Sequence, residues 1–97
     1  MKTSGQVFRT KLLVFNFKES ERSKLGVIVT KKVGNAVFRN RVKRWVREVF
    51  RNHREVFENS LDLVLIPRRS NLSFSELKRD FLYFAAKYNE KASDKRN

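Results

Sequence analysis

Cysteine is absent from this 97-residue chain, which excludes disulfides and every zinc or iron–sulfur site built on thiolates. Histidine occurs once, at position 53, and proline once, at position 67. No apolar run approaches the roughly 20 residues that span a bilayer. Near the N-terminus the apolar stretch LLVF, residues 12–15, is too short for the core of a signal peptide. A reducing, cytoplasmic location is therefore expected. Acidic residues are scarce as well: 10 Asp and Glu stand against 23 Lys and Arg, a formal net charge of +13. Such an excess repels itself in a compact fold, and a polyanionic partner relieves the repulsion. Nucleic acid is the first candidate and an anionic membrane surface the second.

A chain of this length is expected to form one domain, here residues 1–97, with a core over 8–90 and a polar tail over 91–97. A domain this small buries only about 60–65% of its unfolded surface. Nine phenylalanines and one tryptophan can fill its core, because each large ring buries much area.

FRTKLLVFNFK, residues 8–18, reads as a strand in which Leu13, Phe15 and Phe17 share a face. ESERS is a polar turn. KLGVIVTKKV, residues 24–33, is a second strand rich in β-branched residues. The short link between them predicts an antiparallel hairpin. Gly34 and Asn35 break the chain, since both tolerate turn conformations. A helix follows from about Ala36 to about Phe57. LDLVLIP, closed by the proline, fits a buried strand, and RRSNLS a loop. A second helix begins near Ser73, which with Glu76 has the spacing of a capping box. Its apolar stripe is Leu77, Phe81, Phe84, Ala85 and Tyr88. The order β-β-α-β-α predicts a single-layer sheet packed against helices, an α+β sandwich.

The first helix carries the functional signal. At about 100° per residue, Val42, Trp45, Val46, Val49, Phe50 and His53 gather on one side. Asn40, Lys43, Arg44, Arg47, Arg51 and Arg54 gather opposite, flanked by Arg39 and Arg41. From Lys31 through Arg54 there are nine basic residues and one acid, Glu48. Solvated helix faces usually mix signs in i,i+4 pairs, and like charges at that spacing cost stability. Cations near the helix start also oppose its dipole. A face that tolerates these costs points to phosphate binding. Arginine's planar fork suits bidentate phosphate contact and base stacking. A membrane-surface role needs an apolar face free to enter lipid, and here the small core needs Trp45 and Phe50. No helix stands at helix-turn-helix spacing before this one, which disfavours a DNA-binding regulator. The remaining rival is a purely structural RNA-binding protein of the ribosomal kind. Nothing resembles catalytic machinery. The ten acids are scattered, whereas a metal nuclease clusters carboxylates, and the lone histidine lies on the apolar side of its helix.

KLGVIVTKKVGNAVFRNRVKRWVREVFR, residues 24–51, resembles the protein subunit of bacterial ribonuclease P. The likeness rests on KKVGNAV entering the helix, the Arg39-Asn40-Arg41 triplet, and the Lys43-Arg44…Arg47-Glu48 pattern after it. LDLVLIPR and the LSFSEL helix stand where that family has its third strand and last helix, so the likeness covers about residues 8–90. It implies a non-catalytic subunit of a ribonucleoprotein that removes the 5′ leader from precursor tRNA, with a large RNA and Mg²⁺ as the catalyst. The implied partners are one RNase P RNA and precursor tRNA, with no membrane and no protein partner required, and no metal or catalytic residue in the protein itself. Lys31, Lys32, Arg39, Asn40, Arg41, Lys43, Arg44, Arg47 and Arg51 are then the RNA-binding residues. A leader cleft would comprise Phe15, Ile28, Thr30 and Lys32, with Arg39 and Asn40 at its end. For Phe15 base stacking and core packing both stay open. The sequence departs from the family in two places. The start at MKTSGQVF leaves no room for the helix that family members usually carry before the first strand, so either a more open cleft or a late or engineered start is expected. Ile28 replaces a small polar residue, making the cleft more apolar.

Overall fold

The computed structural model describes residues 5–57 and 59–96. Four strands, β1 (Gln6–Arg9), β2 (Leu13–Glu19), β3 (Lys24–Val27) and β4 (Leu61–Pro67), join two helices, α1 (Ala36–His53) and α2 (Phe74–Arg96). They form one sheet in the order β1-β2-β4-β3. Both helices supply the same core. Val42, Val46, Val49 and Phe50 of α1 and Leu77, Phe81, Phe84 and Tyr88 of α2 pack with Leu13 and Phe15 of β2 and Leu61, Leu63 and Leu65 of β4. Alternate residues Asp62, Val64 and Ile66 are only half-buried. The helices therefore cover one face of the sheet and leave the other open, the α+β layering expected of the sequence.

Three details of the strands differ from the expectation. The strand expected over residues 24–33 ends at Val27, where the chain turns toward α1. The stretch 8–18 is two strands, not one, because the Thr10 hydroxyl accepts from the Leu12 and Leu13 amides at 3.3 and 2.9 Å. The Thr10 amide donates to the Leu13 carbonyl at 2.8 Å, closing a turn that needs neither glycine nor proline. The predicted hairpin between residues 8–18 and 24–33 is also absent. β4 lies between β2 and β3, antiparallel to β2 and parallel to β3. The physical reason is burial. β4 is apolar at every residue but Asp62, so it gains most at the centre, whereas β3 carries Lys24 and Gly26 and suits an edge. Residues 20–23 arch past the start of β4, where the Ser20 hydroxyl donates to Asp62 Oδ1 at 3.0 Å.

The helices keep closer to expectation. Ser73 and Glu76 form the reciprocal capping box, each backbone amide donating to the other's side chain at 3.2 Å. All five residues of the predicted α2 stripe are buried. α2 runs on through Arg96 and buries Ala92, so a helix extends into the segment read as a polar tail; Asn97 lies outside the described residues. α1 ends four residues early, at His53, and passes into a single 3-10 turn, Arg54–Val56. His53 Nδ1–H donates to the Val49 carbonyl at 2.9 Å, a helix-terminal role for the lone histidine.

Aromatic rings weld the layers. Phe15 and Phe84 stack at 4.3 Å with 11° between planes, and Phe57 meets the edge of Phe81 at 5.7 Å. The Tyr88 hydroxyl donates to Glu19 Oε2 at 2.8 Å, and Asn59 Nδ2 donates to the same oxygen at 2.9 Å. Trp45 is not a core residue of this kind. It is half-buried at the margin, edge-on to Phe38 and Phe74 at 6.1 and 6.0 Å. Phe81→Ala is expected to cost about 3–5 kcal/mol of stability, and Trp45→Ala clearly less. Urea midpoints of the two variants check this, and equal losses would contradict it.

Candidate nucleic-acid interface

The entrance to α1 is built by four residues. Asn35 is the N-cap, its Oδ1 accepting from the Phe38 amide at 2.9 Å, which satisfies one of the unpaired donors of the first turn. Gly34 is required by space rather than by its backbone angle. No glycine has a positive φ, but a Cβ on Gly34 would stand 2.8 Å from Phe38 Cδ2. Arg39 Nη1 donates to the Gly34 carbonyl at 2.9 Å. The first turn of α1 holds no acid to complement the dipole, so its cations sit where the helix field opposes them.

Beyond that turn the basic stripe is laid out as the periodicity predicts. Asn40, Lys43, Arg44, Arg47 and Arg51 line one open depression together with Glu48. All except Lys43 are exposed, as are Lys31, Lys32, Arg41 and Arg54. Among the described residues the ion pairs are Arg79–Asp80 and Lys87–Glu90, both within α2. Among the described residues no carboxylate forms an ion pair with a cation of α1, so the stripe meets solvent without that compensation. Clustered cations on such a surface attract phosphate and release counterions when it binds.

The residues assigned to a leader cleft do not all come together. Ile28, Thr30 and Lys32 are exposed. Phe15 is fully buried and its face is covered by Phe84; the choice between stacking platform and core falls to core. Register explains the mismatch. Phe15 pairs with Leu65, which pairs in turn with Val27, and paired residues share a face. Ile28, one residue further, therefore belongs to the opposite, open face. The β2 and β4 residues on that face are Val14, Asn16, Lys18, Asp62, Val64 and Ile66, with Val14 paired to Ile66, Asn16 to Val64 and Lys18 to Asp62.

The structure adds cations that the sequence reading left in a loop. Arg68 and Arg69 leave β4 at the same end of the sheet at which β3 leads out toward Lys31 and Lys32, since the two strands run parallel. Both are exposed, and Arg68 Nη1 donates to the Thr10 carbonyl at 2.8 Å beside exposed Arg9 and Lys11. The signal available in the sequence was a thirteen-residue interval without an acid, residues 63–75, containing the Arg68-Arg69 pair. Among the described residues no three His, Asp or Glu side chains gather into a metal site, and no helix is long and apolar enough to cross a membrane.

A four-stranded sheet with two helices on one face, an open second face and an unpaired cationic helix stripe defines a class of small basic α+β protein. Comparison with known proteins gives the family. The protein-family model described as Ribonuclease P matches residues 1–89. The ribonuclease P protein component of Finegoldia magna is 40% identical over 86 residues, 87% of this chain and 74% of that protein. That of Thermotoga maritima is 39% identical over 67 residues, 67% of this chain and 57% of that protein, so the match spans little more than half of the Thermotoga relative. The solved structure of the RNase P protein from Thermotoga maritima superposes with a TM-score of 0.74 at 31% identity, covering 84% of this chain and 82% of that one. The chain belongs to the ribonuclease P protein family.

Replacing Arg44 and Arg47 together by alanine is expected to weaken RNA binding and flatten its salt dependence by about two phosphate contacts. The slope of log affinity against log salt is the measurement. A folded double variant with an unchanged slope would remove these residues from the interface.

Proposed function

We propose that this chain is the protein subunit of ribonuclease P. It binds the catalytic RNA subunit through the α1 stripe and the 5′ leader of precursor tRNA along the open sheet face, in the cytoplasm and with no second protein required. The observation that carries the reading is the one-sign face of α1, which no carboxylate among the described residues neutralises, in a chain of this family. Lys31, Lys32, Asn40, Arg41, Lys43, Arg44, Arg47 and Arg51 supply phosphate contacts. Ile28, Val14, Val64 and Ile66 supply an apolar floor, and Thr30, Lys32, Arg68 and Arg69 stand at its end. This floor replaces Phe15 in the cleft. β-Branched side chains offer shape and apolar area rather than a ring to stack on, so the leader is read with little base preference.

The protein contributes positioning, not bond chemistry. Among the described residues no three acids gather, so those side chains do not fit a Mg²⁺ site, which needs several oxygen ligands converging on one point. Magnesium belongs with the RNA in this reading. What the protein supplies is charge neutralisation between two RNA strands and a fixed track for the leader, both of which reduce the cost of holding substrate in place.

The experiment is cleavage of a 5′-labelled precursor tRNA by a bacterial RNase P RNA at low Mg²⁺, with and without the protein. Strong stimulation at the mature 5′ end is expected. Binding to the RNA without stimulation would leave a structural RNA-binding role instead. Ile28→Glu, which sets a carboxylate on the sheet face, is expected to lose stimulation on a long-leader precursor while keeping affinity for the RNA subunit. Equal loss on precursors with long and minimal leaders would take the leader off this face.

A further inference from the structure

Arg39 stands apart from the other cations of α1. It is half-buried where Asn40 and Arg41 are exposed, and it does not line the depression formed by the stripe. Its guanidinium donates to the Gly34 carbonyl at 2.9 Å, and its backbone amide donates to the Asn35 carbonyl at 2.9 Å. Side chain and backbone of one residue thus hold the two residues that precede the helix. A Cβ at Gly34 would run into Phe38, so this position carries no side chain to limit its backbone. Immediately upstream, Val33 is buried and its amide donates to the Thr30 carbonyl at 3.0 Å. That bond closes a turn whose two central residues are Lys31 and Lys32, both exposed. The turn is tied to the sheet on its other side, where the Ile28 amide donates to the Leu65 carbonyl at 3.0 Å.

We propose that Arg39 is a positioning residue: by holding the Gly34 peptide it fixes the Lys31–Lys32 turn relative to the basic face of α1, so that both cation groups meet one RNA surface. This rests on the RNA-binding reading above. The chemistry suits arginine. One arm of its planar fork is committed to a carbonyl while the fork stays rigid, which a lysine ammonium on a flexible stem does not reproduce. The link between the two cation groups is only Val33, Gly34 and Asn35. Val33 is anchored in the core and Asn35 is anchored as the cap, so the Gly34 peptide is the joint that remains to be locked. Without Arg39 the lysine pair keeps its charge and loses its place.

A double-mutant cycle separates this from direct phosphate contact. Affinity for a transcribed bacterial RNase P RNA is measured for the full chain, for Arg39→Gln, for Lys31→Ala with Lys32→Ala, and for all three together. Arg39→Gln is expected to weaken binding at least about fivefold in the native background and less than about 1.5-fold once both lysines are gone, a coupling larger than the about twofold within which independent sites add. Full additivity would mean that Arg39 acts on the RNA itself and would overturn the proposal. So would a lysine pair whose removal changes nothing. In that second case the Arg44 and Arg47 double variant shows whether the RNA-binding reading falls too or only the role of the turn. The same cycle with Arg39→Lys serves if Arg39→Gln lowers the melting temperature enough to unfold the chain, and is judged by the same two outcomes.

Discussion

β4 pairs on both sides, and the rest of the molecule follows from that. It meets β2 along its whole length, from Leu13 opposite Pro67 to Glu19 opposite Leu61, and β3 from Lys24 opposite Asp62 to Val27 opposite Leu65. Because β3 and β4 are parallel neighbours, the chain between them must cross from one end of the sheet to the other, and α1 is that crossing. Its apolar side is spent on the sheet and its basic side is left outward. α2 packs beside it on the same face, so nothing in the described residues remains to cover the second face. The cationic helix and the bare sheet face are two results of one strand's placement.

This arrangement also settles how a like-charged helix stays folded. Its exposed face is self-repelling and its first turn works against the helix dipole. These are contributions of a few tenths of a kcal/mol per pair. Against them stand four α1 side chains that are nearly or fully inaccessible, Val42, Val46, Val49 and Phe50, each worth about 1.5–3 kcal/mol when fully buried. Burial wins with room to spare, so the fold can carry a self-repelling face.

Much of this was legible in the sequence, and the failures have one origin. The period of 3.6 located both helices, separated the basic from the apolar side of α1, and picked the buried α2 residues from Leu77 to Tyr88, missing only Ala92 among those described. The Ser73–Glu76 spacing located a cap. These are local signals. Strand alternation gave correct parity, placing Leu13, Phe15 and Phe17 together, but parity does not say which face is covered when both carry apolar residues. For Phe15 base stacking and core packing looked equally open until the pairing with Leu65 and the stack on Phe84 placed it in the core. Pairing partners were the other failure. A short polar link between two strands favours a hairpin, and only the competition from a more apolar strand far along the chain displaced it. Gly34 was expected to serve a turn by its dihedral freedom and serves instead by its lack of a side chain against Phe38.

The central position of β4 also imposes a schedule. A chain emerging from synthesis releases β1, β2, β3 and all of α1 before the strand that joins them. Until Leu61–Pro67 is available, β3 has no sheet partner and Val42, Val46, Val49 and Phe50 have no surface to cover them. During that interval the growing chain exposes an apolar ridge and nine cations from Lys31 to Arg54 together, the combination that makes partly made domains sticky. Sheet pairing over so long a sequence separation is slow to form. The schedule therefore gives a polyanion its earliest opportunity before the domain is closed, and a helix face already neutralised at that moment would enter the fold without its repulsion.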